Sequence, residues 1–209
     1  SGYIAADEGG PATAALLSSP SGVYAAASGI VYIADTGNNR VRTVSPGVAA
    51  GDPDVITTIA GTGSAGYDAS EDGGSALLAR LSSPQGICAS AGGAVYVADA
   101  GNNRIRKLTP GASPGDPAVI STVAGTGEAA YSESDDGGDA ALARLSSPSG
   151  VFLASPTILL VADAGNNRVR RITLSTVTGT PDVISTIAGS GETGGFGGDY
   201  GLATTAVFN

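Results

Sequence analysis

Ala34-Asp35-Thr36-Gly37-Asn38-Asn39-Arg40-Val41-Arg42 returns as Ala98-Asp99-Ala100-Gly101-Asn102-Asn103-Arg104-Ile105-Arg106. It returns again as Ala162-Asp163-Ala164-Gly165-Asn166-Asn167-Arg168-Val169-Arg170. Gly37, Gly101 and Gly165 stand 64 residues apart, and each copy follows a β-rich run: Ile30-Val31-Tyr32-Ile33, Ala94-Val95-Tyr96-Val97 and Ile158-Leu159-Leu160-Val161. A fixed period of this length marks a tandem array of one supersecondary unit.

Working outward, every unit reads alike. An acidic Gly-Gly loop opens it: Tyr3 with Asp7-Glu8-Gly9-Gly10, Tyr67 with Glu71-Asp72-Gly73-Gly74, Tyr131 with Asp135-Asp136-Gly137-Gly138. An Ala/Leu stretch follows (14–17, 76–81, 140–145), long enough for one helical turn and too short for a stable helix. Ser-Ser-Pro-X-Gly at 18–22, 82–86 and 146–150 then predicts a turn, with Pro fixing φ and Gly permitting a positive φ. Four short strands come next, at 23–27, 30–34, 40–44 and 55–60 in the first unit, each with counterparts further on. Pro/Gly/Asp loops (46–53, 110–117, 174–181) separate the third strand from the fourth.

Four antiparallel strands per repeat describe the blade of a β-propeller. The expected fold class is therefore all-β, with blades at about 1–63, 64–127 and 128–191, and the opening loop of a further repeat at 192–209. Rings typically close with about four to eight blades. Three blades plus a loop predict a partial propeller or open array whose uncovered faces associate with further repeats or subunits, as a ring or a filament. Starting at Ser1 with neither Met nor a leader, the chain is expected to be a mature or excerpted piece.

Composition fits this reading. Gly numbers 33, hydrophobic residues make up 42%, and Trp and Met are absent, which suits short strands and tight turns. Ten basic residues against 19 acidic ones give a net charge of -9, disfavouring nucleic acid and anionic membranes as partners. No apolar run approaches the ~20 residues that span a bilayer. Cys88 has no partner within the chain and reads as a small buried hydrophobe.

These motifs resemble NHL-repeat proteins: Pro-X-Gly-Val, then Val-Tyr-Ile-Ala-Asp-Thr-Gly-Asn-Asn-Arg-Val-Arg, then Ile56 to Gly63, with the Gly-Tyr…Asp-Gly-Gly loop. The resemblance covers the whole chain and implies the propeller fold. It leaves function open, because NHL propellers include scaffolds, extracellular sensor and adhesion domains, RNA-binding modules and a few lyases.

The signature itself reads as a hairpin lock. Asp35, Asp99 and Asp163 are placed to face Arg40, Arg104 and Arg168 across the turn, while Gly37, Asn38, Asn39, Gly101, Asn102, Asn103, Gly165, Asn166 and Asn167 supply the left-handed positions. A cross-strand pair of this kind contributes about 0.2–1 kcal/mol. Read functionally, the three Asp would be ligands for a cation or substrate. Arg40/Arg42, Arg104/Arg106 and Arg168/Arg170 each share one strand face. They form either an anion-binding stripe or, as net acidity favours, internal pairs with the acidic loops. Those loops lack the alternating spacing of a dedicated calcium loop, so no cofactor is expected, with calcium the minority alternative.

No His occurs, which removes the commonest general base and the usual zinc ligand. The NHL-type lyases that use a histidine-bound metal are matched in scaffold alone. No catalytic, cofactor or metal residue is therefore assigned. The expected function is a non-catalytic, acidic, structural or interaction protein, extracellular or at the cell surface, whose partners are its own repeats or subunits. O-glycosylation at Ser/Thr-Pro sites is an option. The alternatives are a ligand- or protein-binding module of a larger extracellular receptor and, behind it, a metal-dependent lyase or hydrolase.

Overall fold

The computed structural model of the chain describes residues 4, 5, 8–113, 115–193, 195, 197, 198 and 200–208. Tyr3, Asp7, Pro114, Phe196, Asp199 and Asn209, used in the sequence reading, lie outside the described residues. The protein is all-β, with three four-stranded antiparallel sheets of the propeller-blade type. The first comprises β1 (Gly22–Ala25), β2 (Val31–Asp35), β3 (Arg40–Ser45) and β4 (Val55–Ala60). The second comprises β5 (Pro84–Ala89), β6 (Val95–Asp99), β7 (Arg104–Thr109) and β8 (Val119–Ala124), and the third β9 (Pro148–Ser155), β10 (Ile158–Asp163), β11 (Arg168–Thr173) and β12 (Val183–Ala188). Two compact units emerge, one of Ser1–Val97 with Lys107–Ser121 and the other of Ala98–Arg106 with Thr122–Asn209.

In the first unit, Val23 pairs with Ile33, Ala34 with Val41, and Val41 with Ala60, so small and β-branched residues meet in rows across the sheet. Ala34, Val41 and Ala60, all fully buried, belong to one apolar cluster with Ala76, Ala79, Leu81, Ile87 and Val95. Burying a side chain such as Val41 stabilises by about 1.5–3 kcal/mol. The small residues allow the close approach. A Cβ on Gly22 would stand 2.1 Å from the Gln85 carbonyl oxygen, so only glycine fits there.

The Ser-Ser-Pro-X-Gly turn differs from its sequence reading. The left-handed residue is the second serine (Ser19 φ 44, Ser83 φ 47, Ser147 φ 43), not the glycine. Pro84 and Pro148 already belong to the strands. The glycine serves packing rather than a positive φ. The Ala/Leu stretches form three-residue 3-10 turns at Ala12–Ala14, Ala76–Leu78 and Ala140–Leu142, the first placed earlier than expected.

Each acidic loop also covers the outer edge of its own sheet. In the first unit the amides of Gly9 and Gly73 donate to the carbonyls of Ile56 and Ile120, and in the second Gly137 donates to Ile184. These bonds satisfy edge groups that would otherwise recruit another strand. The residues after β12 repeat an earlier pattern: Gly189 and Ser190 amides donate to Ala203 and Ala206, as Gly61 and Thr62 do to Ala76 and Ala79. No helix among the described residues is long and apolar enough to cross a membrane.

Candidate functional site

The triplicated Asp-Asn-Asn-Arg hairpin is the one polar constellation that recurs, and the fold buries most of it. In the first unit a 3-10 turn, Thr36–Asn38, joins β2 to β3, and Asn39 closes it in the left-handed conformation at φ 50. Asn103 and Asn167, at φ 51, close the turns Ala100–Asn102 and Ala164–Asn166. Gly37, Gly101 and Gly165 lie inside these turns and are not left-handed, which corrects the sequence reading. Glycine is required for space: a Cβ on Gly37 would stand 2.4 Å from Ser18 Oγ, and one on Gly165 2.3 Å from Ser146 Oγ.

Asp35 has no exposed surface. Its carboxylate accepts from the Ser18 amide at 2.8 Å and from Asn38 Nδ2 at 2.8 Å, and lies 3.6 Å from Arg42 Nη1. Arg40 stands opposite Asp35 in register, yet its guanidinium donates to the carbonyls of Asn38 (3.1 Å) and Thr62 (2.7 Å). The predicted Asp35–Arg40 ion pair is therefore replaced by a diagonal one to Arg42, two residues along the same strand face. Arg42, fully buried, supplies the counter-charge to this buried carboxylate while Arg40 binds the turn carbonyls. The register shift opposite Val41 and Arg42 places the extra residue, Ile59, on β4, while the β2–β3 pairing stays regular through Arg42.

Arg42 is fully buried, with Nη2 3.0 Å from Glu8 Oε1. Glu8 in turn accepts from the Thr58 amide (2.7 Å) and hydroxyl (2.6 Å). Asp35, Arg42, Glu8 and Thr58 thus form one chain that ties the acidic loop to the hairpin and to β4.

The second unit carries two further hairpins. Asn102 donates to Asp99 at 2.8 Å and Arg106 Nη1 lies 3.5 Å from Asp99, with Asp99 and Arg106 both fully buried. Arg104 binds the carbonyls of Asn102 and Thr126 instead of Asp99. Asp163 accepts from the Ser146 amide and from Asn166, both at 2.8 Å, and Arg170 bridges Asp163 (3.4 Å) and Asp136 (2.7 Å). Burial pushes the Asp163 carboxyl above its ordinary range, against the pull of Ser146, Asn166 and Arg170. Arg168 binds the carbonyls of Asn166 and Ser190 and stacks 3.5 Å over the Tyr131 ring.

The anion-stripe reading of these residues closes. Arg42, Arg106 and Arg170 are fully buried, so the Arg-X-Arg strands present no paired anion-binding stripe. The acidic loops instead spend carboxylates on arginines: Glu71 on Arg80 at 2.7 Å, Asp135 on Arg144 at 3.1 Å, and Glu8 and Asp136 as described. Hydrogen bonds from Arg144 hold the Asp135 carboxyl below its usual range. Among the described residues no group of three or more His, Cys, Asp or Glu is arranged to hold a metal ion.

One role of the motif escaped the sequence reading. Asn39 Nδ2 donates to the Gly63 carbonyl (3.2 Å) while its Oδ1 accepts the amide of Ser83, in the following repeat, at 2.9 Å. Thr36 donates to the Pro84 carbonyl at 2.6 Å. In the second unit, Asn103 Nδ2 donates to Gly127 (3.1 Å) and its Oδ1 accepts the Ser147 amide at 2.8 Å. The left-handed asparagine is a clamp between successive repeats. The available signal was that both residues of each clamp recur at a spacing of 44.

The third copy is made the same way but holds less. Asn167 Nδ2 donates to the Glu192 carbonyl at 3.2 Å, and among the described residues nothing donates to its Oδ1. Ala34, Val41 and Ala60 and their counterparts Ala98, Ile105 and Ala124 are fully buried, whereas Ala162, Val169 and Ala188 are half-buried. In the first unit Val23 is 70% exposed where its counterpart Ile87 is 6%.

Comparison with known proteins agrees with this architecture. The NHL repeat family model matches residues 17–43 and 81–108, so the chain carries NHL repeats at these places. Over 102 residues, 49% of the chain, it is 33% identical to Protein SUPPRESSOR OF QUENCHING 1, chloroplastic, from Arabidopsis thaliana, and spans 9% of that protein. Among solved structures it is similar to an auxiliary nutrient binding protein from Bacteroides thetaiotaomicron (TM-score 0.56, 20% identity, 71% of this chain, 36% of that one). A protein of the same description from Bacteroides ovatus gives a TM-score of 0.55 at 20% identity, over 71% of this chain and 36% of that one. At such identities the likeness concerns the fold.

Proposed function

We propose that this NHL-repeat chain is a non-catalytic scaffold whose blades associate with further repeats or subunits of the same kind, in an extracellular or cell-surface setting. The observation that carries the reading is the third clamp. Asn167 repeats the geometry of Asn39 and Asn103 but accepts no backbone amide, and the sheet face around Val169 is only half covered. The amide of Ser19, counterpart of Ser83 and Ser147, and the exposed Val23 offer the complementary surface. Joining such ends is a heterologous contact, which yields a ring if the rotation closes and a filament if it does not. A non-catalytic role is supported by the His-free sequence and by the engagement of the triplicated Asp and Arg in internal pairs. No cofactor is part of this reading, and the extracellular setting rests on the family resemblance alone.

Sedimentation velocity over a concentration series tests it. The 20.1 kDa chain should self-associate, and Val169→Glu, which places a charge on the half-covered face, should give a folded monomer. A wild-type monomer at every concentration, or a Val169→Glu variant that associates unchanged, would refute the proposal.

A further inference from the structure

A groove of about 800 Å³ lies within the first unit; it shares no residue with the clamps, and of the buried ion-pair chain only Thr58 lines it. One wall is the first sheet, where Tyr32 pairs in register with Thr43 and Thr43 with Thr57, so three hydroxyl-bearing side chains form one row across β2, β3 and β4. Thr43 and Thr57 share a hydrogen bond at 2.8 Å, and Ser45 lies on the same strand face as Thr43. Ile30, Ile59, Val95 and Leu108 supply apolar surface around the row. The loop after β7 makes the opposite rim. It is held by the Ser113 amide donating to Asp116 Oδ2 at 3.0 Å and the Asp116 amide to the Ser113 carbonyl at 3.0 Å, and Asp116 lines the groove.

The chemistry of the lining narrows the occupant. Among the described residues no lysine or arginine lines the groove, so an anion would be desolvated without a counter-charge. Asp116 is the one carboxylate among the described lining residues, too few for a bare divalent cation. What remains is a surface of neutral hydroxyls, each able to donate and accept, beside one aromatic ring and aliphatic patches. Pockets of this composition and size take neutral ligands oriented by a few polar groups. Hydroxyls matched by hydroxyls, with apolar C–H faces against a ring, are the features of a pyranose sugar.

The other repeats sharpen the point. At the positions of Tyr32, Thr43 and Thr57 the second repeat has Tyr96, Lys107 and Ser121, and the third has Leu160, Arg171 and Ser185. The blade fold therefore tolerates cations and aliphatic residues in this row, and the uncharged Tyr-Thr-Thr set is particular to the groove. Burial, with Tyr24 beside it, pushes the Tyr32 hydroxyl above its ordinary range.

We propose that this groove binds a neutral oligosaccharide, with Tyr32 as the stacking platform, Thr43, Thr57 and Ser45 as hydroxyl partners, and Asp116 accepting a sugar hydroxyl at the rim. The site stands independently of the association reading, since its residues are not those of the clamp.

The test is saturation-transfer NMR and titration calorimetry on the intact chain. The panel comprises maltose, cellobiose and lactose, with digalacturonate as the charged control and benzyl alcohol as the apolar one. At least one neutral disaccharide should bind and digalacturonate should not. Tyr32→Ala should weaken binding about tenfold or more through the lost ring, and Tyr32→Phe about threefold to tenfold through the lost hydroxyl. Tyr32→Phe keeps the packing, so its thermal unfolding should match wild type. The proposal is overturned if no neutral disaccharide binds, if only benzyl alcohol binds, or if a folded Tyr32→Phe variant binds the sugar as tightly as wild type.

Discussion

Asp163→Ala asks the most of the buried network. The substitution removes the acceptor for the Ser146 amide and Asn166, each at 2.8 Å, and leaves Arg170, fully buried, with Asp136 as its one remaining carboxylate. Stranding a buried donor costs about 1–3 kcal/mol, and breaking one side of a buried ion pair about 3–5 kcal/mol. These overlap, so the expected loss is about 3–5 kcal/mol, a large part of the stability of a domain. Arg170→Met should cost a similar amount, because it removes the cation that opposes the desolvation of the buried Asp163 carboxyl. The two residues touch, so the double variant should be more stable than the summed losses by about 1–3 kcal/mol. Urea unfolding followed by far-ultraviolet circular dichroism, on the wild type and the three variants, gives the cycle. If Asp163→Ala costs less than about 1 kcal/mol, as an exposed pair would, or if the losses simply add, the description of this pair as a buried, mutually dependent unit is wrong.

Two further outcomes follow from the same geometry. Asp163 and Asp135 should show opposite pH signatures: a raised folded pKa contributes stability below the unfolded value near ~3.9 and loses it as pH rises, while a lowered one does the reverse. Against Asp163→Asn, wild type should lose ground as pH rises through the folded pKa of Asp163. Against Asp135→Asn, it should keep an advantage of at most about 1 kcal/mol at neutral pH, screened by solvent, and lose that advantage as pH falls below about 4. Thermal unfolding across a pH series reads both signs. Gly63→Ala, whose Cβ would meet the Arg40 guanidinium at 2.2 Å, should destabilise more than Gly73→Ala, which has a similar positive φ and nothing within 4 Å. The control isolates the backbone term of about 1 kcal/mol, and equal losses in the two variants would show that Arg40 yields freely.

The fold was legible because its information is local and repeated. The 64-residue period, the β-branched runs and the turn residues specify hairpins without long-range detail, and β4 at Val55–Ala60 follows from them directly. The partners of the charged residues were not legible in the same way. Facing across a turn made Arg40 the natural partner of Asp35, and only the carbonyls of Asn38 and Thr62, which take the Arg40 guanidinium, show why the neighbouring arginine takes that place. The clamp from Asn39 to Ser83 depends on how consecutive repeats stack, which no single repeat encodes. The positive φ of Ser19, Ser83 and Ser147 was hidden because a Pro-X-Gly sequence assigns the left-handed role to glycine by default.

Repetition itself separates what holds the blades from what distinguishes them. Glu8 is long enough to bind Arg42 together with the amide and hydroxyl of Thr58. Its counterpart Asp136, one methylene shorter, binds Arg170, and the buried hydroxyl of Thr186 has no partner among the described residues. Leu16 stands where Arg80 and Arg144 carry ion pairs to the acidic loops. The blade survives each exchange, so these positions answer to local packing. The Asp, the left-handed Asn and the two Arg never vary across the three copies, and structural partners account for them: a buried guanidinium for each Asp, turn and loop carbonyls for the first Arg and the left-handed Asn, and the next repeat's amide for Asn39 and Asn103. A triplicated polar motif in a tandem array is thus the wrong place to look for a ligand. The row of Tyr32, Thr43 and Thr57, where the copies disagree and no element of the blade demands the residues present, is the better one.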